Sequence, residues 1–280
     1  MRLGAPVFVD RDDPEEIARA HRALGYRAGF CPPASLEESR RTRAIREAFA
    51  KHDVVIGEVG VWNNLMDPDE EKRQRNLEAM ERGLALADEV GALCVVNIAG
   101  SHNPRNWAGP HPKDVSRESF DLVVENARAI IDGVRPKRAK FTYEMMPWML
   151  PDSADSYLDL MTAVARPAFG VHLDIVNIVN SPRRYFDTTS LIRECFAKLG
   201  PHVVCCHLKD IRLQDGLTVH LEEVMVGQGG FDIRTYLREV ERLPHQPPVL
   251  LEHLGTREEY EQARRYVVGL AREIGVDIES

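Results

Sequence analysis

A single-domain barrel of eight alternating strands and helices, an α/β fold of the (β/α)₈ type, is predicted by this sequence on three observations. The chain has 280 residues, and the fold typically takes about 250. Short apolar runs alternate with amphipathic stretches from residue 1 to 280, with no linker or low-complexity segment between them. Four consecutive runs also end alike. Phe141-Thr142-Tyr143-Glu144, Val171-His172-Leu173-Asp174, Val203-Val204-Cys205-Cys206-His207 and Val249-Leu250-Leu251-Glu252 each close on one residue able to ligate a metal. A strand, a helix and two loops need roughly 30 or more residues, and these four ligands follow one another at intervals of 30 to 45. In a closed parallel barrel the C-terminal strand ends converge on one face. Two Glu, one Asp and one His meeting there suit a hard or borderline divalent cation.

Each element has its own local signal. Leu3–Val9 is the first apolar run, and Asp12-Asp13-Pro14-Glu15-Glu16 is an acidic opening for a helix through Leu24. Gly25 closes it before a strand over Tyr26–Phe30. Ser35-Leu36-Glu37-Glu38 has the form of a capping box and starts a helix to about Lys51. Val54–Val61 is the third strand. The next helix, from about Asp67, carries Leu77, Met80, Leu84 and Ala87 at helical spacing and ends at Gly91. Leu93–Ala99 is the fourth strand, and its loop, Gly100 to Lys113, is longer than most. A helix over about Arg117–Gly133 leads to the fifth strand. Helices near Asp152, Ser190–Leu199, Asp232–Leu243 and Thr256–Ile274 follow the last four strands. The connection from Lys209 to Gly230 is the longest in the chain.

Composition narrows the function classes. The net charge of −8 argues against a general nucleic-acid surface. No run approaches 18 apolar residues and the N-terminus has too short an apolar stretch for a signal peptide, so neither a membrane span nor secretion is expected. Five cysteines, an odd number without CxxC spacing, are expected as buried free thiols in a reducing cytoplasm.

Tyr143-Glu144, His172-Leu173-Asp174, Cys206-His207-Leu208-Lys209-Asp210 and Leu251-Glu252-His253 together resemble the sugar isomerase/epimerase superfamily of xylose-isomerase-like barrels. That superfamily includes ketose 3-epimerases, inosose dehydratases and isomerases and, more distantly, endonuclease IV. The resemblance covers nearly the whole chain. It implies that Glu144, Asp174, His207 and Glu252 hold a divalent metal, with Mn²⁺ expected first and Mg²⁺, Co²⁺ or Zn²⁺ as alternatives. It also implies a homodimer or homotetramer acting on a small carbohydrate. Glu144 and Glu252 are then the catalytic pair, exchanging protons with a substrate carbon beside a carbonyl through an enediolate. Ketose 3-epimerases carry a His three residues after the strand-six Asp, where this chain has Asn177. His-x-Lys-Asp at His207–Asp210 is closer to inosose dehydratases, with Lys209 a proton donor or simply the partner of Asp210. A lyase or dehydratase on a keto-sugar, keto-glycoside or inosose is therefore the alternative. A non-catalytic metal-dependent sugar-binding protein is the alternative of another class.

Further substrate contacts are expected from strand ends. Trp62 and Trp148 offer stacking faces for a sugar. Glu58 on the third strand faces the barrel, to bind hydroxyls or form a buried ion pair. Asn97 closes the fourth strand, and His172 lies deeper on the face of Asp174 as a second-layer partner or a core histidine. His102 and His253 are expected to stand outside the site, and Arg183-Arg184 to be a solvated pair. Gly227-Gln228-Gly229-Gly230 lacks the context of a phosphate loop and is expected as a turn.

Overall fold

Where a β-branched or aromatic run is covered on both faces, the chain forms a parallel strand, and the amphipathic run behind it folds back as a helix. The computed structural model describes residues 1–279. The barrel strands are β1 (Leu3–Gly4), β2 (Ala28–Phe30), β3 (Val55–Gly60), β4 (Cys94–Asn97), β5 (Lys140–Glu144), β6 (Phe169–Leu173), β7 (Val203–Leu208) and, after an inserted hairpin, β10 (Val249–Leu251). They close in chain order, with β1 beside β10 and β2. The helices between them are α1 (Pro14–Ala23), α2 (Ser39–Lys51), α3 (Glu70–Val90), α4 (Arg117–Val134), α5 (Ala154–Val164), α6 (Pro182–Phe186), α7 (Thr188–Leu199), α8 (Ile233–Arg242) and α9 (Arg257–Ile274). Among the described residues, no helix is long and apolar enough to cross a membrane.

The predicted helix starts hold where a side chain caps them. Asp13 accepts the Glu16 N–H at the start of α1, and Thr256 and Glu259 form a full capping box at α9. The expected box at Ser35 does not form. Ser35 instead closes a turn with Glu38, and α2 begins four residues later without a side-chain cap. The first strand is also shorter than Leu3–Val9. Pro6, with no N–H to give, falls where the ladder would continue, so pairing stops at Gly4. A side chain there would collide with Ala28 O, 2.5 Å from an added Cβ.

The main core lies between the strands and the helices, joining residues such as Ile45, Met80, Val123, Tyr157, Ile192, Tyr236 and Val267. Ala28, Cys94, Cys205 and Leu250 make a small separate cluster, set on the inward-facing positions of the barrel. Tyr157, buried on α5, reaches between two strands. Its hydroxyl donates to Tyr143 O at 2.6 Å and accepts the His172 N–H at 3.2 Å. The register between β6 and β7 shifts between Val171 and His172, so this hydroxyl satisfies a backbone group where the ladder is irregular.

The long connection after β7 is not structureless. It folds as an antiparallel hairpin, β8 (Asp210–Leu213) with β9 (Leu221–Val224). Asp210 anchors its return: the carboxylate accepts the backbone N–H of Ile211, Gly227, Gly229 and Phe231 at 2.8–3.0 Å. The glycine run wraps this carboxylate. Gly229 has to be glycine, because an added Cβ would stand 2.2 Å from Ile211 O and 2.3 Å from Asp210 Oδ1.

Candidate metal centre

Four strands deliver one candidate ligand each to the C-terminal face. Glu144 is the last residue of β5, Asp174 follows β6, His207 lies near the end of β7, and Glu252 follows β10. One ligand atom from each lies within 4.8 Å of the others, and all four residues are buried. His207 is the hub. Its Nδ1 is 2.8 Å from Glu252 Oε2, 3.2 Å from Glu144 Oε1 and 3.7 Å from Asp174 Oδ2.

Three carboxylates share this space with few counter-charges. Lys209, only 2 % exposed, places Nζ 2.6 Å from Glu252 Oε1 and 2.8 Å from Asp174 Oδ2. It does not pair with Asp210, whose carboxylate is taken by the loop backbone. Burial pushes the Glu144 carboxyl above the ordinary range, reinforced by the charges of Glu252 and Asp174 and opposed by His207. Burial would also raise Glu252, but His207 and Lys209 outweigh it and hold that carboxyl below its ordinary range. Burial would lower His207, but Glu252 and Glu58 hold it well above its ordinary range, so without metal the ring and Lys209 together answer the three carboxylates. The donor set, hard oxygens beside one imidazole nitrogen, fits a divalent cation.

The expected substrate contacts divide. Asn177 sits against the cage, its Nδ2 donating to Glu144 Oε1 at 3.2 Å and to Met145 O at 3.0 Å. Lys209 is inside it. Asn97 is fully buried and exchanges hydrogen bonds with Asn63, its Oδ1 accepting the Asn63 N–H and its Nδ2 donating to Asn63 Oδ1. Trp62 and Trp148 are exposed by 47 % and 40 %, and the Trp148 indole donates to Ala108 O. Glu58 and His172 are placed away from any opening, 2 % and 0 % exposed. Glu58 Oε2 is 2.6 Å from His172 Nε2 and 3.1 Å from His207 Nε2. Burial works against this carboxylate, yet the two imidazoles hold it well below the usual range. Glu58 thus meets two imidazoles rather than an opening.

Of the two histidines expected outside the site, His253 departs from expectation and His102 does not. Strand alternation would turn His253 away from Glu252, but β10 ends at Leu251 and His253 adopts a left-handed backbone, φ 57°. The ring comes back over the rim, with Nδ1 3.0 Å from Glu223 Oε2 and Nε2 3.6 Å from Glu252 Oε2. His102 is tied to buried Asp114, Nδ1 to Oδ1 at 3.1 Å, with His111 alongside. Glu223 was not singled out in the sequence. It lies on β9, 3.7 Å from Lys209 Nζ, and only the alternation within Leu221–Val224 could have signalled the strand that brings it there. Phe30 was also passed over. Its ring centroid is 6.2 Å from that of His207, and it lines a cleft of about 420 Å³ with Val7, Phe8, Pro32 and Pro33.

Comparison with known proteins places this geometry. The profile of the xylose isomerase-like TIM barrel family matches residues 17–270. The chain belongs to that family. No curated protein sequence matches it. Among solved structures, it is similar to a xylose isomerase-like TIM barrel protein from Mycobacterium smegmatis in complex with magnesium, at 20 % identity and TM-score 0.67, over 93 % of this chain and 88 % of that one. D-psicose 3-epimerase from Clostridium cellulolyticum H10, solved with D-tagatose, superposes at TM-score 0.71 and 12 % identity, covering 99 % and 100 %. The "probable 3-DHS dehydratase" of Bacillus anthracis does so at TM-score 0.71 and 16 % identity, covering 96 % and 99 %. At these identities the likeness concerns the fold.

Proposed function

We propose that this xylose isomerase-like barrel is a divalent-metal-dependent isomerase or epimerase of a free sugar or keto-sugar, with Mn²⁺ the expected metal. One observation carries the reading: Glu144 and Glu252, on strands separated by β6 and β7, reach the same His207 nitrogen from two sides within a buried four-ligand cluster. Two opposed carboxylates are what a proton exchange at one carbon needs, one to take the proton and one to return it from the other face. Glu144, Asp174, His207 and Glu252 are the residues that hold the cation. When bound, it supplies positive charge beside oxygens that become negative as the proton leaves. Asn177 orients the Glu144 carboxylate, and burial of the cluster keeps water from competing for the proton. The psicose 3-epimerase among the structural relatives supports this branch.

Lys209 supports a second reading. An ammonium between Asp174 and Glu252 is placed to protonate a leaving hydroxyl, as a lyase or dehydratase requires, and one structural relative carries a dehydratase name. The deciding experiment incubates Mn²⁺-loaded protein with free ketoses, inososes and 3-keto-glycosides in deuterated water and reads product mass. Deuterium gained without other mass change is the expected result. Loss of water or an aglycone moves the assignment to the lyase branch. Tight sugar binding with no turnover, in wild type and in E144Q and E252Q alike, leaves only a binding protein.

A further inference from the structure

His207 has two nitrogens with different neighbours, and the second neighbour has no place in the proposed chemistry. Nδ1 faces the three ligand carboxylates, while Nε2 faces Glu58, 3.1 Å away. Glu58 comes from β3, a strand that contributes no metal ligand, and its carboxylate lies among Cys205, His172 and His207. The same Oε2 lies 2.6 Å from His172 Nε2, and the two imidazole rings meet edge to face with centroids 4.2 Å apart.

A carboxylate at these distances accepts; it cannot donate. Each imidazole nitrogen facing Glu58 must therefore carry the hydrogen. To ligate a cation through Nδ1, His207 must keep its one hydrogen on Nε2, where Glu58 accepts it. The other neutral tautomer would spend the Nδ1 hydrogen on Glu252 and point a lone pair at a buried anion. We infer that Glu58 is a positioning residue, selecting the metal-binding tautomer of His207 and fixing its ring, and that His172 in turn holds Glu58. The inference rests on the metal-site reading above. It also accounts for a full negative charge in the barrel interior, which an apolar residue would replace at lower cost if Glu58 served the fold alone.

His172 completes the chain by being rigid rather than reactive. It is fully buried, its backbone N–H is tied to the Tyr157 hydroxyl, and among the described residues its Nδ1 meets no hydrogen-bond partner. One functional nitrogen, Nε2, is all that the arrangement uses. Removing the partner that orients a ligating histidine commonly weakens metal binding by about 10- to 100-fold.

The test is calorimetric titration of metal-free protein with Mn²⁺, with long-range ¹H–¹⁵N correlation of ¹⁵N-histidine-labelled protein loaded with diamagnetic Mg²⁺, His207 being assigned by its loss in H207N. Wild type is expected to bind one Mn²⁺ and to show the hydrogen of His207 on Nε2. E58Q, whose amide can donate to Nε2, is expected to bind Mn²⁺ about 10- to 100-fold more weakly and to shift His207 toward the Nδ1–H form. H172Q, which keeps a donor toward Glu58, is expected to stay close to wild type, while H172L loses part of the affinity. Wild type that binds no Mn²⁺ overturns the metal site itself. Wild type that binds with the hydrogen on Nδ1, or E58Q with unchanged affinity and tautomer, overturns the role of Glu58 and leaves the metal site standing. If E58Q does not fold, H172L carries the test, unchanged Mn²⁺ affinity there overturning the chain from His172 through Glu58 to His207.

Discussion

Replacing Lys209 by Met removes one buried cation and keeps most of the side-chain volume. In the wild type its ammonium stands 2.6 Å from Glu252 and 2.8 Å from Asp174. At an effective dielectric constant near 20, each contact is worth about 6 kcal/mol of attraction, most of it offset by the cost of taking the ammonium out of water. Removing one partner still leaves two buried carboxylates without it, and such losses run at about 3–5 kcal/mol. For a chain of this size that corresponds to a fall of roughly 5–9 °C in the melting temperature of metal-free protein. Metal then reverses part of the loss. With Asp174 Oδ2 and Glu252 Oε1 released from Lys209, Mn²⁺ is expected to raise the melting temperature of K209M by more than it raises that of wild type, a ligand at 100 times its Kd adding about 2.7 kcal/mol. The assay is calorimetric melting of both proteins with chelator and with Mn²⁺. Equal metal-free melting temperatures, or a smaller Mn²⁺ effect in K209M, would refute the argument that Lys209 stands in for part of the cation's charge.

Other expectations can be checked separately. N177A removes the hydrogen bond to Glu144 and is expected to lower kcat by about tenfold with little change in stability, the scale of a hydrogen bond to a charged group. G229A forces a Cβ against Ile211 O and the Asp210 carboxylate and is expected to cost about 1–3 kcal/mol, with faster proteolysis between Lys209 and Gly230 as the local readout. Y157F removes the hydroxyl between β5 and β6 and should cost about 1–2 kcal/mol by urea denaturation. Asp88 gives a pH test. Burial would raise its carboxyl, but the N–H groups of Ala139, Lys137 and Arg138 hold it below the ordinary range. Its contribution is thus complete above the unfolded pKa, about 4, and is lost as pH falls through the lower folded value. D88N should be less stable than wild type at pH 6, with the gap narrowing toward pH 3.

The barrel was legible because each strand of a fully covered parallel sheet is an apolar run, and the helices behind them carry 3.6-residue periodicity. The convergence of Glu144, Asp174, His207 and Glu252 was legible for a related reason: one metal-type residue ended each of four runs at βα spacing. What escaped had a different physical basis. The hairpin at Asp210–Val224 mixes charged and apolar residues, since one face lies on the rim and the other in solvent, so Glu223 carried no signal of its place. The turn of His253 depends on a single left-handed residue just past a strand end, which alternation cannot foresee. Glu58 and His172 were visible as inward-facing positions, but whether they meet substrate or each other depends on barrel registers joining residues 114 positions apart.

Tyr157 has a consequence for how such a site can diverge. Its hydroxyl ties the β5 backbone at Tyr143 to the β6 backbone at His172, immediately before the strand ends that bear Glu144 and Asp174. The separation of those two carboxylates is therefore set partly from the outer shell, by a helix that never borders the opening. Laboratory evolution of a barrel like this one has an adjustment available on α5. Substitutions there would widen or narrow the cluster in small steps while Glu144, Asp174, His207 and Glu252 keep their identity.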